Sequence, residues 1–162
     1  MNITTIRTGR LAIARQGLAA LLERHLPPLH EGDIVAVTSK LVSICEGRFV
    51  PCEAVPKQEL IGQESEWFLP PDPTAHGVML TIKGSRLIPM AGIDESNADG
   101  HYILWPEDAQ QSANALRAFL CAHFGLRQVG VLITDSTTAP LRSGVTGIAV
   151  AHSGFSALNS YI

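Results

Sequence analysis

Two uninterrupted apolar runs, Ile34-Val35-Ala36-Val37 and Val129 to Thr134, constrain the fold of this chain more than anything else in it. Each is too short for a helix and lacks polar residues at alternate positions, so each reads as a strand covered on both faces. The segment from Pro106 to Phe124 supplies a cover. Pro106 suits the first helical position, and Glu107 and Asp108 suit the positive end of the helix dipole. Ala109, Ala113, Leu116 and Leu120 form one apolar stripe, which Gly125 ends. The pattern predicts the two runs as central strands with this helix packed on them.

The remaining segments fill in an α+β or irregular α/β class, because strands and helices alternate without a clean βαβ repeat. A strand is expected near Asn2 to Ile6 and a helix from Arg15 to His25, ended by Pro27 and Pro28. Leu18, Leu21, Leu22 and Leu26 fall at core-facing helical spacing, which favours this reading of the Arg-bearing start over a transit peptide. A short strand over Arg48 to Val50 and a helix over Pro56 to Trp67 follow, and Pro70, Pro71 and Pro73 mark a loop. Gly77 to Lys83 and Arg86 to Ala91 read as a hairpin turning at Gly84-Ser85. Tyr102 to Trp105 and Val145 to Ala151 are further strands, while Phe155 to Ile162 carries no stop signal and resembles a chain cut in mid-fold.

Composition removes whole function classes. The chain has 162 residues, 46% hydrophobic and 17% charged, with a net charge of -3, so it can bury a core and has no basic stripe for a nucleic-acid backbone. No apolar run is long enough to span a bilayer. Three cysteines, Cys45, Cys52 and Cys121, without a Cys-x-x-Cys pair argue against a disulfide framework and for a reducing, cytoplasmic setting. Walker, dinucleotide-fingerprint, nucleophile-elbow and His-Glu-x-x-His patterns are all absent.

Three polar segments carry the chemistry. Thr38-Ser39-Lys40 leaves the end of the first apolar run, where open sheets place ligands; Lys40 can neutralise phosphate and Ser39 can donate to a phosphoryl oxygen. Asp94 and Asn97, in Ala91-Gly92-Ile93-Asp94-Glu95-Ser96-Asn97, can hold a hard cation and a ligand oxygen in one turn. Asp135 and Ser136, at the end of the second run and followed by Thr137, Pro140, Arg142 and Gly144, suit Mg²⁺. Asp, Asn and Ser are also ordinary turn formers, so spacing alone leaves both readings open. Together the donors are hard oxygens, which points to Mg²⁺ or Mn²⁺ and away from zinc. If Asp94 and Asp135 meet, each is expected to perturb the ionisation of the other, and a cation between them turns that repulsion into binding.

These segments have a shared likeness. Glu31-Gly32-Asp33-Ile34-Val35-Ala36-Val37-Thr38-Ser39-Lys40-Leu41-Val42-Ser43, followed by Glu46-Gly47-Arg48, is similar to a pattern of the coenzyme F420-0:L-glutamate ligases, "Asp-Gly-Asp…Thr-Ser-Lys-Ile-Val-Ser-Lys-Ala-Glu-Gly-Arg". The Asp94 segment is similar to "Ala-Gly-Val-Asp-x-Ser-Asn", and Leu104-Trp105-Pro106-Glu107-Asp108 to "Leu-Leu-Pro-x-Asp". Ile133-Thr134-Asp135-Ser136 with Pro140, Arg142 and Gly144 is similar to "Ile-Thr-Asp-Thr-Phe-Gly-Arg-Pro-Trp-Arg-x-Gly".

The resemblance implies an α+β fold of the γ-glutamyl ligase kind over residues 1–162, as a single domain lacking the C-terminal part of the family fold. It implies a homodimer with the site in an interface groove, a divalent metal (Mg²⁺ or Mn²⁺) on Asp94, Asp135 and Ser136, and nucleotide contacts from Ser39 and Asn97, to which the phosphate-neutralising Lys40 adds a third nucleotide-binding residue. K⁺ is a further implied ion. The implied reaction is GTP-dependent addition of L-glutamate to a carboxylate acceptor, coenzyme F420-0 or a folate-like molecule, through an acyl phosphate. Two departures stand out: Ile44 replaces a lysine of the pattern, and Thr137-Thr138-Ala139-Pro140-Leu141 replaces "Phe-Gly-Arg-Pro-Trp". They raise the alternative of a catalytically silent paralogue that binds a small anion or a protein partner.

Overall fold

The computed structural model describes residues 2–9, 11–14, 16–71, 77–139 and 141–159. The fold is α+β, and its first sheet is built on the two apolar runs. β1 (Ile34–Thr38) lies parallel to β7 (Gly130–Thr137), and β7 lies antiparallel to β8 (Thr146–Ser153). The starts of β1 and β7 are tied by Glu31, whose carboxylate accepts the backbone N–H of Arg127 at 2.9 Å and of Gln128 at 2.6 Å. Helix α4 (Ala109–Phe124) covers one face, burying Ala113, Leu116 and Leu120 against Val35, Val37, Val131 and Ile133. Helix α1 (Leu18–His25) adds Leu21 and Leu22 at the rim.

A second group of elements carries its own apolar cluster. The hairpin β4 (Leu80–Lys83) and β5 (Arg86–Pro89) pairs with the two-residue β3 (Trp67–Phe68), and β2 (Phe49–Pro51) pairs with β6 (His101–Ile103). Leu60 and Ile61 of α3 (Lys57–Glu64) pack there with Met79, Ala91, Ile93, Tyr102 and Leu104. Among the described residues, no helix is long and apolar enough to cross a membrane.

The structure corrects several sequence expectations. β1 is not covered on both faces: Val35 and Val37 are buried, whereas Ile34 is 57% exposed and Ala36 is open. The reason is position, because β1 is an edge strand with a helix on one side, and only β7 is central. Asn2 to Ile6 form no strand and lie exposed. Helix α1 begins at Leu18, and Arg15 lies outside the described residues, as do Arg10, Pro73, Pro140 and residues 160–162. Helix α3 stops at Glu64, so Trp67 belongs to a strand. Helix α4 starts at Ala109 because Asp108, not Pro106, ends the extended chain: its carboxylate accepts the N–H of Gln111 at 2.8 Å as N-cap. The remaining strands sit within two or three residues of their expected bounds.

Within the second group, a charge cluster ties α3 and β4 to Arg48, just ahead of β2. Glu64 Oε2 accepts from Arg48 at 2.7 Å and from Lys83 at 2.6 Å, with all three side chains largely covered. Burial pushes the Glu64 carboxyl up, but hydrogen bonds and charge from Lys83 and Arg48 outweigh it and hold the group below its ordinary 4.5. A carboxyl with a lowered folded value stabilises the fold above its unfolded value and loses that contribution as pH falls through the folded one. Glu64→Gln should therefore cost about 1–3 kcal/mol at neutral pH, by stranding two cations. In thermal melts, the gap between wild type and variant should be constant above pH 4.5 and narrow below it.

Candidate functional site

The site exists because β7 outruns β1. Their last pair is Thr38 with Thr134; beyond it, Asp135, Ser136 and Thr137 pair only with Ile148, Gly147 and Thr146 of β8. One side of β7 is thus open where the chain leaves β1. The departing chain is not the solvated loop its hydroxyls suggest but helix α2 (Ser39–Glu46). Thr38 is its N-cap, accepting the N–H of Leu41 at 3.3 Å, and Gly47 closes it in the left-handed region at φ 80°. Lys40 stands in its first turn, facing the opening.

The third wall is the segment after β5. It turns sharply through Met90 (φ 56°), Ala91 (φ 54°) and Gly92 (φ 70°), and two of these are residues that rarely adopt such angles. Buried Thr81 holds this turn, accepting the N–H of Ala91 at 2.9 Å and donating to the carbonyl of Ile88. Asp94 then exchanges backbone hydrogen bonds with Ile103 at 2.9 and 2.8 Å, which places its side chain at the opening.

The result is a cleft of about 390 Å³ lined by Thr38, Lys40, Asp94, Thr134, Asp135 and Ser136. Lys40 Nζ lies 2.5 Å from Asp94 Oδ2 and donates to the Ser96 carbonyl at 2.8 Å. Asp94 Oδ1 accepts from the Ser96 N–H and hydroxyl, both at 2.7 Å. Burial pushes the Asp94 carboxyl up, yet the donors on Lys40 and Ser96 win and keep it below its ordinary 3.8. Asp135 Oδ1 accepts the Ser136 N–H at 2.8 Å, and Oδ2 accepts the indole N–H of Trp105.

Four of the sequence-predicted residues, Lys40, Asp94, Asp135 and Ser136, are brought together here. Ser39 is buried in the first turn of α2, and exposed Asn97 sits at φ 55° in the Asp94 segment; neither is part of the lining. The expected action of Asp135 on Asp94 is not among the causes of its shift: the groups acting on Asp94 are Lys40 and Ser96, and an ammonium already balances its charge. Ile44, at the place of the pattern's lysine, is 5% exposed and packs with Ala98 and Ile103, so it faces a small core rather than the cleft. Sequence reasoning passed over Thr38, Thr134 and Trp105 as site residues. Trp105 alone had a visible signal, a donor-bearing ring where the family pattern has leucine.

The donor set suits a hard cation. Asp94, Asp135 and Ser136 offer oxygen only, and Mg²⁺ is commonly held by one or two carboxylates with phosphates completing its shell. Among the described residues, no group of three or more His, Cys, Asp or Glu is gathered closely enough to hold a metal by itself, so such a site needs substrate oxygens. Cys45, on the far side of α2, is no competing nucleophile, since burial and then the neighbouring Glu46 push its thiol up to about 11.

A family model described as F420-0:Gamma-glutamyl ligase matches residues 10–162. The chain belongs to that family. It is 33% identical over 144 residues to a coenzyme F420:L-glutamate ligase of Methanopyrus kandleri, with 78% of this chain and 56% of the relative aligned. A protein of the same name from Archaeoglobus fulgidus is 30% identical over 100% of the chain and 71% of its own length. One from Methanocaldococcus jannaschii is 29% identical over 81% and 58%. The chain thus spans a little over half the length of the first of these relatives.

The Lys40–Asp94 pair gives a direct check on the electrostatics of this family member. In Lys40→Met the ammonium is gone while burial remains, so the Asp94 carboxyl should titrate at a higher pH than in wild type. NMR titration of the side-chain carboxyl carbon reads this, and an unchanged midpoint would show that Ser96 alone sets its ionisation.

Proposed function

We propose that the chain carries the metal- and phosphate-binding part of a GTP-dependent ligase that joins L-glutamate to a carboxylate acceptor, coenzyme F420-0 being the acceptor that the relatives' names favour. The observation that carries this reading is the convergence of Lys40, Asp94, Asp135 and Ser136 on one cleft at the carboxyl ends of parallel strands. The acceptor carboxylate attacks the γ-phosphorus of GTP, the bond to the bridging oxygen breaks, and GDP leaves. The glutamate amine then attacks the acyl carbon, phosphate departs, and the nitrogen gives up a proton. Asp94, Asp135 and Ser136 would hold a divalent ion, which would supply charge neutralisation at the transferring phosphoryl group. Lys40 is placed to exchange Asp94 for a phosphate oxygen, and a cation held by Asp94 would balance the carboxylate in its stead. Ser39 and Asn97 lie in the same segments as Lys40 and Asp94 and are the further candidates for nucleotide contact, and K⁺ would be a further ion for charge balance. The relatives are named as enzymes, which favours activity over a silent anion-binding paralogue.

A homodimer fits the same reading. Trp67, Ile82 and Leu87 stand in register across β3, β4 and β5, all exposed, with Leu69 and Leu80 beside them. An apolar sheet face of this kind marks an interaction surface. Trp67→Lys should shift the protein from dimer to monomer in sedimentation velocity; a monomeric wild type would rule this surface out as a self-contact. Three free cysteines agree with a reducing, cytoplasmic setting.

The ligase reading is tested by thermal shift and product assay. Mg²⁺ with GTP should raise the melting temperature, GTP without a divalent ion should raise it much less, and Asp94→Asn and Asp135→Asn should each remove most of the Mg²⁺-dependent part. Phosphate release should require both L-glutamate and the acceptor. A protein whose melting temperature ignores Mg²⁺-GTP would sink the proposal.

A further inference from the structure

One ring edge touches both carboxylate-bearing segments. Trp105 is 5% exposed, and its Nε1–H donates to Asp135 Oδ2. The same edge lies against Gly92, two residues before Asp94. A Cβ placed on Gly92 would stand 2.3 Å from Nε1, 2.6 Å from Cε2 and 2.9 Å from Cδ1 of the indole. Gly92 also lies at φ 70°, so a side chain there meets backbone strain as well as collision. The backbone that carries the ring is held as well. Arg48 Nε donates to the Trp105 carbonyl at 3.1 Å, the N–H of Leu104 donates to the Arg48 carbonyl at 3.0 Å, and Lys83 stands 6.0 Å from the ring centroid. Glu64 fixes both of those cations. The family pattern's leucine at this place can fill space but cannot donate a hydrogen bond.

Resting on the ligase reading of the cleft, we infer that Trp105 is a positioning residue that holds the Asp135 carboxylate and sets its spacing from the Asp94 segment, so that both present oxygen to one divalent cation. The physical reason is pre-organisation. A carboxylate held by the indole on Oδ2 and by the Ser136 N–H on Oδ1 is confined to one orientation, with a lone pair of each oxygen left for a ligand. Losing a partner that orients a metal-binding side chain typically weakens metal affinity about 10- to 100-fold. Gly92 belongs to the same device, because only a residue without Cβ lets the ring edge reach both segments.

The test has two arms on the full chain. In the first, indole N–H signals are followed by NMR without any ligand; the chain has two tryptophans, and Trp67, 73% exposed, is the internal control. Asp135→Ala should shift the Trp105 signal and speed its exchange with solvent while leaving Trp67 in place. Gly92→Ala should displace the same signal. An unmoved Trp105 signal in Asp135→Ala overturns the inference. In the second arm, binding of Mn²⁺ together with GTP, whose phosphates supply the oxygens the site needs, is measured by electron paramagnetic resonance. Trp105→Phe and Trp105→Leu should each bind about tenfold more weakly than wild type, or worse. Affinity equal to wild type overturns the inference. If wild type takes up no Mn²⁺ even with GTP present, the ligase reading fails, while the first arm still decides whether Trp105 holds Asp135. The first arm also decides if the Trp105 variants fail to fold.

Discussion

The parallel register of β1 and β7 is the constraint on which the rest depends. Pairing Ile34 with Gly130 puts the last shared rung at Thr38 and Thr134, and β7 then continues for three residues that β1 does not reach. Those three rungs lean on β8 alone. The side chains of Asp135 and Ser136 therefore border an opening instead of a neighbouring strand. A register shifted by one residue would turn Asp135 to the opposite face, because side chains alternate along a strand. Helix α2 starts at the same height, so Lys40 arrives at the opening from the other strand's end. A single pairing decision thus assembles charges from two distant parts of the chain.

Two charge clusters serve opposite ends in this molecule. Glu64 with Arg48 and Lys83 is enclosed and fully engaged, which suits a tie between α3, β4 and the chain entering β2. Lys40 with Asp94 is more open, with side-chain exposures of 31% and 39%, and can exchange partners at modest cost. The enclosed cluster reaches the open one through Trp105, whose carbonyl is held by Arg48 and whose indole holds Asp135. Covered support behind a more exposed ion pair would suit the proposed function, since groups that stay in place must be ordered before a ligand arrives.

The departures from the family pattern acquire physical content here. Ile44 lies in a small core with Ala98 and Ile103, beneath the Asp94 segment. An apolar side chain there braces the cleft wall from below, a structural role in place of a charged one. Trp105 adds a donor that leucine lacks. Leu141, within the altered stretch after Ser136, is fully exposed with φ 60°.

Much of the architecture was legible in the sequence because it rests on local rules. The apolar runs named β1 and β7, the stripe at Ala113, Leu116 and Leu120 named α4, and Gly84-Ser85 named the hairpin turn. Hard oxygen donors after each run, and the absence of clustered sulfur and imidazole, narrowed the ligand chemistry. Tertiary structure decided what depends on neighbours. Periodicity cannot say whether an apolar strand lies at a sheet edge, so β1 was expected to be covered twice and is covered once. It cannot pair residues across the chain, so the Glu64 cluster and the contact of Trp105 with both Gly92 and Asp135 were invisible. Nor could it show that Asp94 brings its own counter-ion in Lys40: ionisation is set by distances of a few ångströms between residues far apart in sequence, and only the folded chain fixes those distances.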